Sequence, residues 1–408
     1  MSGMSRDDNR SASMSPTAPN SLSLKLPPQM EDGFQIHAAM LAHGLDVVLL
    51  PRQLLLGCAR GGTPGEVAFV HGVPNSSTLA SLSFAHDKRI RRALLERAGL
   101  PVPKGATFSI KGRAAAMRFA EKIGYPVMLR EALGENPGRM MTDIRDGEEL
   151  LAAFDALRLV PLQTEGTASD IARSAYGRYG LSVDEIDKEG RRLAPRGTRF
   201  LLEKLQPGQR LRCLAAADSV LLIARVKNDP LRPEVVEQDV TQQVHVDIRD
   251  AAMQAVRAVP GLSVGVVDLV VTDMTMPPTG QAWSVVDCAE RVGLSDLVPA
   301  NNKRRLQIAT EILGREITSI RHAGASESVT ITFTASGVPN AAAAIKDLKL
   351  LSRDAGISAS DGWEVTDAVE GTVSTVLIGA PTVIAAFSEA LVSGLLAVRA
   401  MVVDTRFV

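Results

Sequence analysis

Short apolar runs of strand length alternate along this chain with stretches in which apolar residues recur every three or four positions. The first pattern is the in/out alternation of a strand, the second the buried stripe of a helix. Gln35 to His43 reads as a helix, and Leu45 to Leu50 (LDVVLL) as a buried strand. Gly61-Gly62 and Pro64-Gly65 mark a turn before the strand-like VAFVHGV, Val67 to Val73. Ile90, Leu94, Leu95 and Ala98 then share one helical face. Gly99 suits the stop of that helix, and Pro101 and Pro103 prevent its continuation. A helix over Arg113 to Ile123 ends at Gly124 and leads into a strand, Tyr125 to Leu129, that finishes on Arg130. Met141 to Asp146 reads as the returning strand and Gly147 to Leu157 as a helix.

Residues 160–198 break this rhythm. They are polar, contain glycines and hold Tyr176 and Tyr179, which reads as an exposed insertion. Three strand-like runs follow (RFLLEKL, RLRCLAAAD and SVLLIARVK), split by turns at Pro207-Gly208 and Asp218-Ser219. An amphipathic helix, Asp250 to Val259, leads to the strand VGVVDLVVTD. A turn over Pro277 to Gly280 then returns the antiparallel strand AWSVVDCAE. Asn302 to Leu313 closes this block as a helix. The last 80 residues or so read as a separate unit of order β-α-β-β-α-β, the ferredoxin-like arrangement.

Composition narrows the classes. The chain has 408 residues, a net charge of −1 and 45% hydrophobic residues, enough for several units with real cores. The near-neutral balance argues against nucleic-acid binding through bulk charge. No apolar run approaches the roughly 18 residues that span a bilayer, so a soluble protein with no membrane partner is expected. Cys58, Cys213 and Cys288 lie far apart, with no metal-ligand spacing, and a reducing cytoplasm is the default. Residues 1–28, rich in Ser, Asn, Pro and Met, read as a disordered tail without the apolar segment of a signal peptide.

Several charged residues stand where chemistry is expected. Arg130 ends an apolar strand at the mouth of a loop bounded by Gly134 and Gly138, a place suited to an anion. Its competing reading is a core-edge cation paired with Glu131 or Glu135. Lys88 opens a helix that also holds Arg89, Arg91, Arg92 and Arg97, and a solvated basic face competes with a binding role there. Asp268 and Asp287 sit among valines on two successive strands, placed either to hold a metal or to pair at a sheet end.

Taken in order, DKRIRRALLERAGLPVPKG, AEKIGYPVMLREALGENPGRM, LLEKLQPG, VGVVDLVV and WSVVD resemble an ATP-grasp ligase of the cyanophycin synthetase-like and D-alanine ligase-like branches, over about residues 84–315. The resemblance implies an α/β and α+β fold: a pre-ATP-grasp N-terminal domain at 29–84, a two-lobed ATP-grasp body and a C-terminal ferredoxin-like βαββαβ domain at 327–408. The small lobe would span 85–159 and the large lobe 199–320, on either side of the 160–198 insertion. It implies ATP and Mg²⁺ as cofactors and a carboxylate–amine ligase working through an acyl-phosphate. A small carboxylate or amino-acid-like substrate and a homodimer go with it. Lys88 and Arg130 would hold phosphates, with the Gly134–Gly138 loop folding over them. Arg225 would steady the acyl-phosphate region. Glu203, Lys204 and Leu205 would read adenine, and Asp268 and Asp287 would bind the metal.

The chain departs from the family pattern at four places. Arg130 replaces a lysine, Arg210 a ribose-binding carboxylate and Ala289 an asparagine ligand, and the phosphate loop reads GENPG. These departures keep a second reading open, a degenerate ATP-grasp protein that binds nucleotide or a protein partner without catalysis. The C-terminal unit also resembles an acylphosphatase in element order. Its loop TASGVPNAA carries no basic residue to cradle phosphate, so packing, dimerisation or small-ligand binding is expected of it instead.

Overall fold

The computed structural model describes residues 24–62, 65–133, 139–159, 185–194, 198–227, 236–298, 301–317, 324–360 and 362–408. The chain enters through helix α1 (Glu31–Ala42), which is buried on nearly every side from Gln35 to Ala42. A helix apolar all round belongs inside a core. Strands β1 (Asp46–Leu50), β2 (Leu54–Cys58), β3 (Val67–Val70) and β4 (Val73–Pro74) follow as an antiparallel meander. The β1–β2 turn holds Arg52 and Gln53 at φ of 65° and 52°. Gln53 is anchored there by bonds from Nε2 to the Met30 carbonyl and to Glu389.

Helices α2 (Leu79–His86) and α3 (Lys88–Arg97) lead into the first central sheet. Its elements are β5 (Gly105–Ser109), α4 (Arg113–Ile123), β6 (Val127–Glu131), β7 (Met140–Ile144) and α5 (Gly147–Arg158). A short ribbon of β8 (Glu185–Ile186) and β9 (Arg192–Leu193) precedes β10 (Arg199–Lys204). The strand order is β5-β10-β6-β7. Val127, Leu129, Phe154, Phe200 and Leu202 fill the core beneath the two helices. Asp146 caps α5 by accepting from the Glu149 N–H at 2.9 Å.

The second central sheet has five strands in the order β13-β12-β11-β14-β15. They are β11 (Gln209–Ala216), β12 (Val220–Val226), β13 (Val236–Asp239), β14 (Val264–Val271) and β15 (Trp283–Ala289). Helix α6 (Val246–Ala258) packs Ile248, Ala252 and Val256 on one face of this sheet. Helix α6 starts four residues before the stretch read from periodicity, because His245 caps it by accepting from Asp247 N–H. The block ends with α7 (Leu294–Leu297) and α8 (Asn302–Glu316).

The final elements are β16 (Val329–Ser336), α9 (Ala341–Asp354), β17 (Ser358–Ala359), β18 (Glu364–Asp367), β19 (Thr372–Gly379), α10 (Pro381–Val392) and β20 (Val402–Phe407). Strands β18, β19, β16 and β20 lie side by side and antiparallel, with α9 and α10 as the connections. Here the architecture differs from the separation expected between 29–84 and 327–408. Strand β20 pairs with β16 on one side and with β1 on the other, so the two segments form one nine-stranded sheet. Their apolar residues form one core, with Ile36, Met40, Leu49, Phe333, Phe387 and Val403 all buried in it. Helices α1 and α10 pack together, and His37 meets Glu389 at 3.3 Å in that interior. A strand carries no local sign of which distant edge it will join, which is why the pattern suggested two units. The overall class, a mixed α/β fold with antiparallel sheets, is as the sequence implied. Among the described residues no helix is long and apolar enough to cross a membrane.

Candidate functional site

Helix α3 begins at an Asp87 cap, whose Oδ1 accepts from Arg89 N–H at 2.9 Å. From that start, positions 88, 91 and 95 fall on one face, and Lys88, Arg91 and Leu95 are the residues this helix buries. Two cations are therefore turned inward by helical spacing alone. They meet β15, which forms the edge of the five-stranded sheet.

Arg130 arrives from β6. It stands opposite Leu201 on β10, so Glu203, two residues further along β10, shares its face within diagonal reach of a long side chain. Arg130 donates to Glu203 Oε2 from Nη2 at 2.8 Å and from Nε at 3.1 Å. Its Nη1 donates to Asp287 Oδ2 at 2.6 Å. A β-bulge on β15 shapes the rest. Asp268 lies opposite Asp287 and Leu269 opposite Val285, which leaves Val286 as the extra residue. The Val286 carbonyl accepts from Arg130 Nη2 at 3.1 Å.

The other partners complete a buried ionic network. Arg92 donates to Glu203 Oε1 at 2.8 Å. Arg91 pairs with Asp287 Oδ1 and also donates to the Ala85 carbonyl at 2.8 Å. Arg212 grips Asp268 with a fork, Nε to Oδ1 at 2.8 Å and Nη2 to Oδ2 at 2.9 Å. Burial alone would raise the Asp287 carboxyl. The charges of Arg91, Arg130 and Lys88 overcome that and hold it well below the usual carboxylate range. Asp268 is likewise lowered: burial is the largest influence and raises it, but the charge and fork of Arg212, with the charge of Arg210, overcome burial and the repulsion from Asp287. The cavity left between Lys88, Arg91, Arg92, Arg130, Glu203 and Asp287 is only about 10 Å³, no more than the room a single water needs. Ordinary ligand pockets hold roughly 300–1,000 Å³, so the side chains fill most of the cleft with their own ion pairs.

Of the residues singled out in the sequence, Lys88, Arg130, Glu203 and Asp287 come together here, with Asp268 beside them across the β14–β15 register. Glu203 turns its carboxylate to arginines, and it is 2% exposed. Lys204 and Leu205 do not present free N–H groups for adenine. Lys204 N–H donates to the Lys104 carbonyl at 2.8 Å and Leu205 N–H to the Pro126 carbonyl at 3.1 Å. Arg225 does not join the cluster. Register places it with Leu211, whereas Arg212, Ala224 and Asp268 project from the opposite face, and Arg225 pairs with Glu237 at 3.0 Å. Gly134 and Gly138 lie outside the described residues. Glu290 sits 3.7 Å from His86 rather than beside Asp287. Arg91, Arg92 and Arg212 also join this network. In the sequence the first two stand only as part of a basic helix face and Arg212 is not singled out; the signal for Arg91 is its place three residues after Lys88 on the inward face.

Magnesium requires hard oxygen donors with lone pairs to give. Asp268 and Asp287 are of that chemical type, but their arrangement does not fit an ion. Both oxygens of Asp268 accept from Arg212, and those of Asp287 are taken by Arg91, Arg130 and the Cys288 N–H. Among the described residues there is no group of three or more His, Cys, Asp or Glu side chains able to hold a metal.

Comparison with known proteins locates the same region. Residues 87–163 match the family model for the ATP-binding domain of the carbamoyl-phosphate synthase L chain, an ATP-grasp domain. The match begins at the α3 cap and includes Lys88, Arg91, Arg92 and Arg130. Over 128 residues the chain is 24% identical to a biotin carboxylase of Nostoc sp., covering 31% of this chain and 25% of that protein. It is 30% identical over 99 residues to the 2-oxoglutarate carboxylase small subunit of Hydrogenobacter thermophilus, covering 24% and 18% respectively. The matches thus span a quarter or less of these curated relatives. Among solved structures, the D-alanine–D-alanine ligase of Bacillus anthracis complexed with ATP aligns at 14% identity and a TM-score of 0.38, over 60% of this chain and 71% of that one.

Proposed function

We propose that the cleft between α3, β6, β10 and β15 binds the polyphosphate of ATP, and that the chain is an ATP-dependent carboxylate–amine ligase. The observation that carries this reading is the buried cluster of Lys88, Arg91, Arg92 and Arg130 around two carboxylates, in the segment that matches an ATP-binding family model. Among the described lining residues, cations outnumber anions by four to two. An anionic ligand suits that balance. Phosphate oxygens accept from guanidinium forks as carboxylates do, so a polyphosphate would take over Arg130 and Arg92 from Glu203 and Asp287.

The chemistry proposed is acyl transfer in two steps. A substrate carboxylate oxygen attacks the γ-phosphorus, the bond to the β-phosphate oxygen breaks, and ADP leaves with that electron pair. An amine nitrogen then attacks the acyl carbon, inorganic phosphate departs, and the nitrogen gives up a proton to solvent. The chain's own part is positioning and neutralisation of charge developing on the transferred group, supplied by fixed cations in a cleft of low water content. No step is routed through a metal, because the carboxylates present do not fit one as arranged. The substrate class is a small carboxylate or amino-acid-like molecule.

A second reading, nucleotide binding without turnover, is favoured by one specific observation: Asp268 and Asp287 are both engaged by arginines. A calorimetric titration with ATP tests the shared part, and no heat at about 1 mM nucleotide would sink it. Phosphate release dependent on both a carboxylate and an amine, measured over a substrate panel, selects the ligase. Binding with no such release selects the second reading.

A further inference from the structure

Asp268 and Asp287 occupy directly opposite positions on β14 and β15. Two carboxylates placed like that repel, and the repulsion must be met by positive charge. A site built around a divalent ion leaves that charge to the ion. Here three guanidiniums supply it: Arg212 on Asp268, and Arg91 with Arg130 on Asp287. The Arg212 fork takes one bond on each oxygen of its carboxylate, and it is fixed by packing, being 4% exposed. Arg210, on the same face of β11 as Arg212, adds its field at Asp268. A divalent cation entering here would displace at least two charge-assisted bonds and would then stand against the displaced guanidiniums. A polyphosphate entering the same place meets attraction from every one of them.

We infer that Arg212, together with Arg91 and Arg130, stands in for the divalent metal, so that this cleft binds nucleotide polyphosphate without Mg²⁺. The inference rests on the nucleotide-binding reading above and adds a property to it. Arg212 is a positioning residue in this scheme: it holds Asp268 neutralised, and the phosphates meet Arg130.

The test is titration of the full chain with ATP, once in EDTA and once in excess Mg²⁺. Dissociation constants agreeing within about threefold are expected. Binding that weakens more than about tenfold in EDTA overturns the inference while leaving the nucleotide reading in place. No binding in either buffer overturns both. Arg212→Met provides the second arm, with a thermal melt to show that it folds. It is expected to weaken ATP binding in EDTA by about tenfold and to recover with Mg²⁺, since Asp268 is then open to an ion. Equal binding by that variant in both buffers removes Arg212 from the scheme. A third measurement needs no variant. Mn²⁺ added to the nucleotide-free protein, followed by electron paramagnetic resonance, should remain in the free-ion state. Stoichiometric uptake that Asp268→Asn abolishes would overturn the proposal.

Discussion

Arg212 and Asp268 face each other across β11 and β14 and close a two-bond fork at 2.8 and 2.9 Å, with both side chains mostly shielded from water. Removing one partner leaves the other charge in a poor environment, whereas removing both does not. Arg212→Met and Asp268→Asn are each expected to cost about 3–5 kcal/mol, and the double variant less than the sum. Urea unfolding of the four proteins gives the coupling. Additive effects would mean that the fork contributes nothing of its own.

Arg130 links three segments through Glu203, Asp287 and the Val286 carbonyl. Arg130→Ala should lower stability by about 3–5 kcal/mol and remove detectable ATP binding. Arg130→Lys keeps the charge but cannot span two carboxylates in one plane, so an intermediate affinity is expected. Calorimetry with ATP, alongside denaturant melts, separates the two effects.

Arg225 serves as the contrast. It sits on the far face of the sheet, half exposed, paired with Glu237. Arg225→Ala should leave ATP affinity within about twofold and stability within about 1 kcal/mol. A tenfold loss of affinity would show that this arginine reaches the nucleotide.

Asp32 gives a pH dependence of known sign. Its carboxylate accepts from the N–H groups of Gly293 and Leu294 at 2.7 Å each, yet burial dominates and raises its pKa to about 6. The folded value lies above the unfolded one, so the contribution to stability is complete below about pH 4 and is lost as pH rises through 6. At about 1.4 kcal/mol per pH unit, the loss is at most about 3 kcal/mol, since Asp32 retains an edge toward solvent. The stability difference between wild type and Asp32→Asn should therefore narrow from pH 4 to pH 7. A flat difference across that range would refute the assignment.

Gly208 follows β10 at φ +143°, and a Cβ there would lie 2.5 Å from the Val271 carbonyl oxygen. Backbone cannot yield as a side chain can. Gly208→Ala is expected to cost at least about 2 kcal/mol in chemical denaturation.

The helix spacing of α3 was readable, and so was the strand that delivers Arg130. Glycine and proline marked most element ends, as at Gly99 and Gly124. Helix α2 was not, because Leu79–His86 holds serines and small residues with no apolar stripe to set a period. What a single sequence could not carry was which charges meet. Arg130 and Asp287 are 157 positions apart, Arg92 and Glu203 111, and their pairing depends on sheet register and a bulge at Val286. Arg225 shows the same limit from the other side. Strand alternation says that it opposes Arg212 in direction only once the register of β11 on β12 is known.

Strand β20 has a consequence in time. Thr405 and Val47 meet 358 positions apart, with the Thr405 hydroxyl donating to the Val47 carbonyl at 3.0 Å. At about 5–20 residues per second, a ribosome needs roughly 20–70 s to make the intervening chain. Throughout that interval β1 has one open edge and α1 lacks α10 as a partner. The central lobes are synthesised, and free to fold, before the sheet that joins the two ends can close. Until the last strand emerges, the early segment therefore presents an unpaired strand edge and an uncovered helix face.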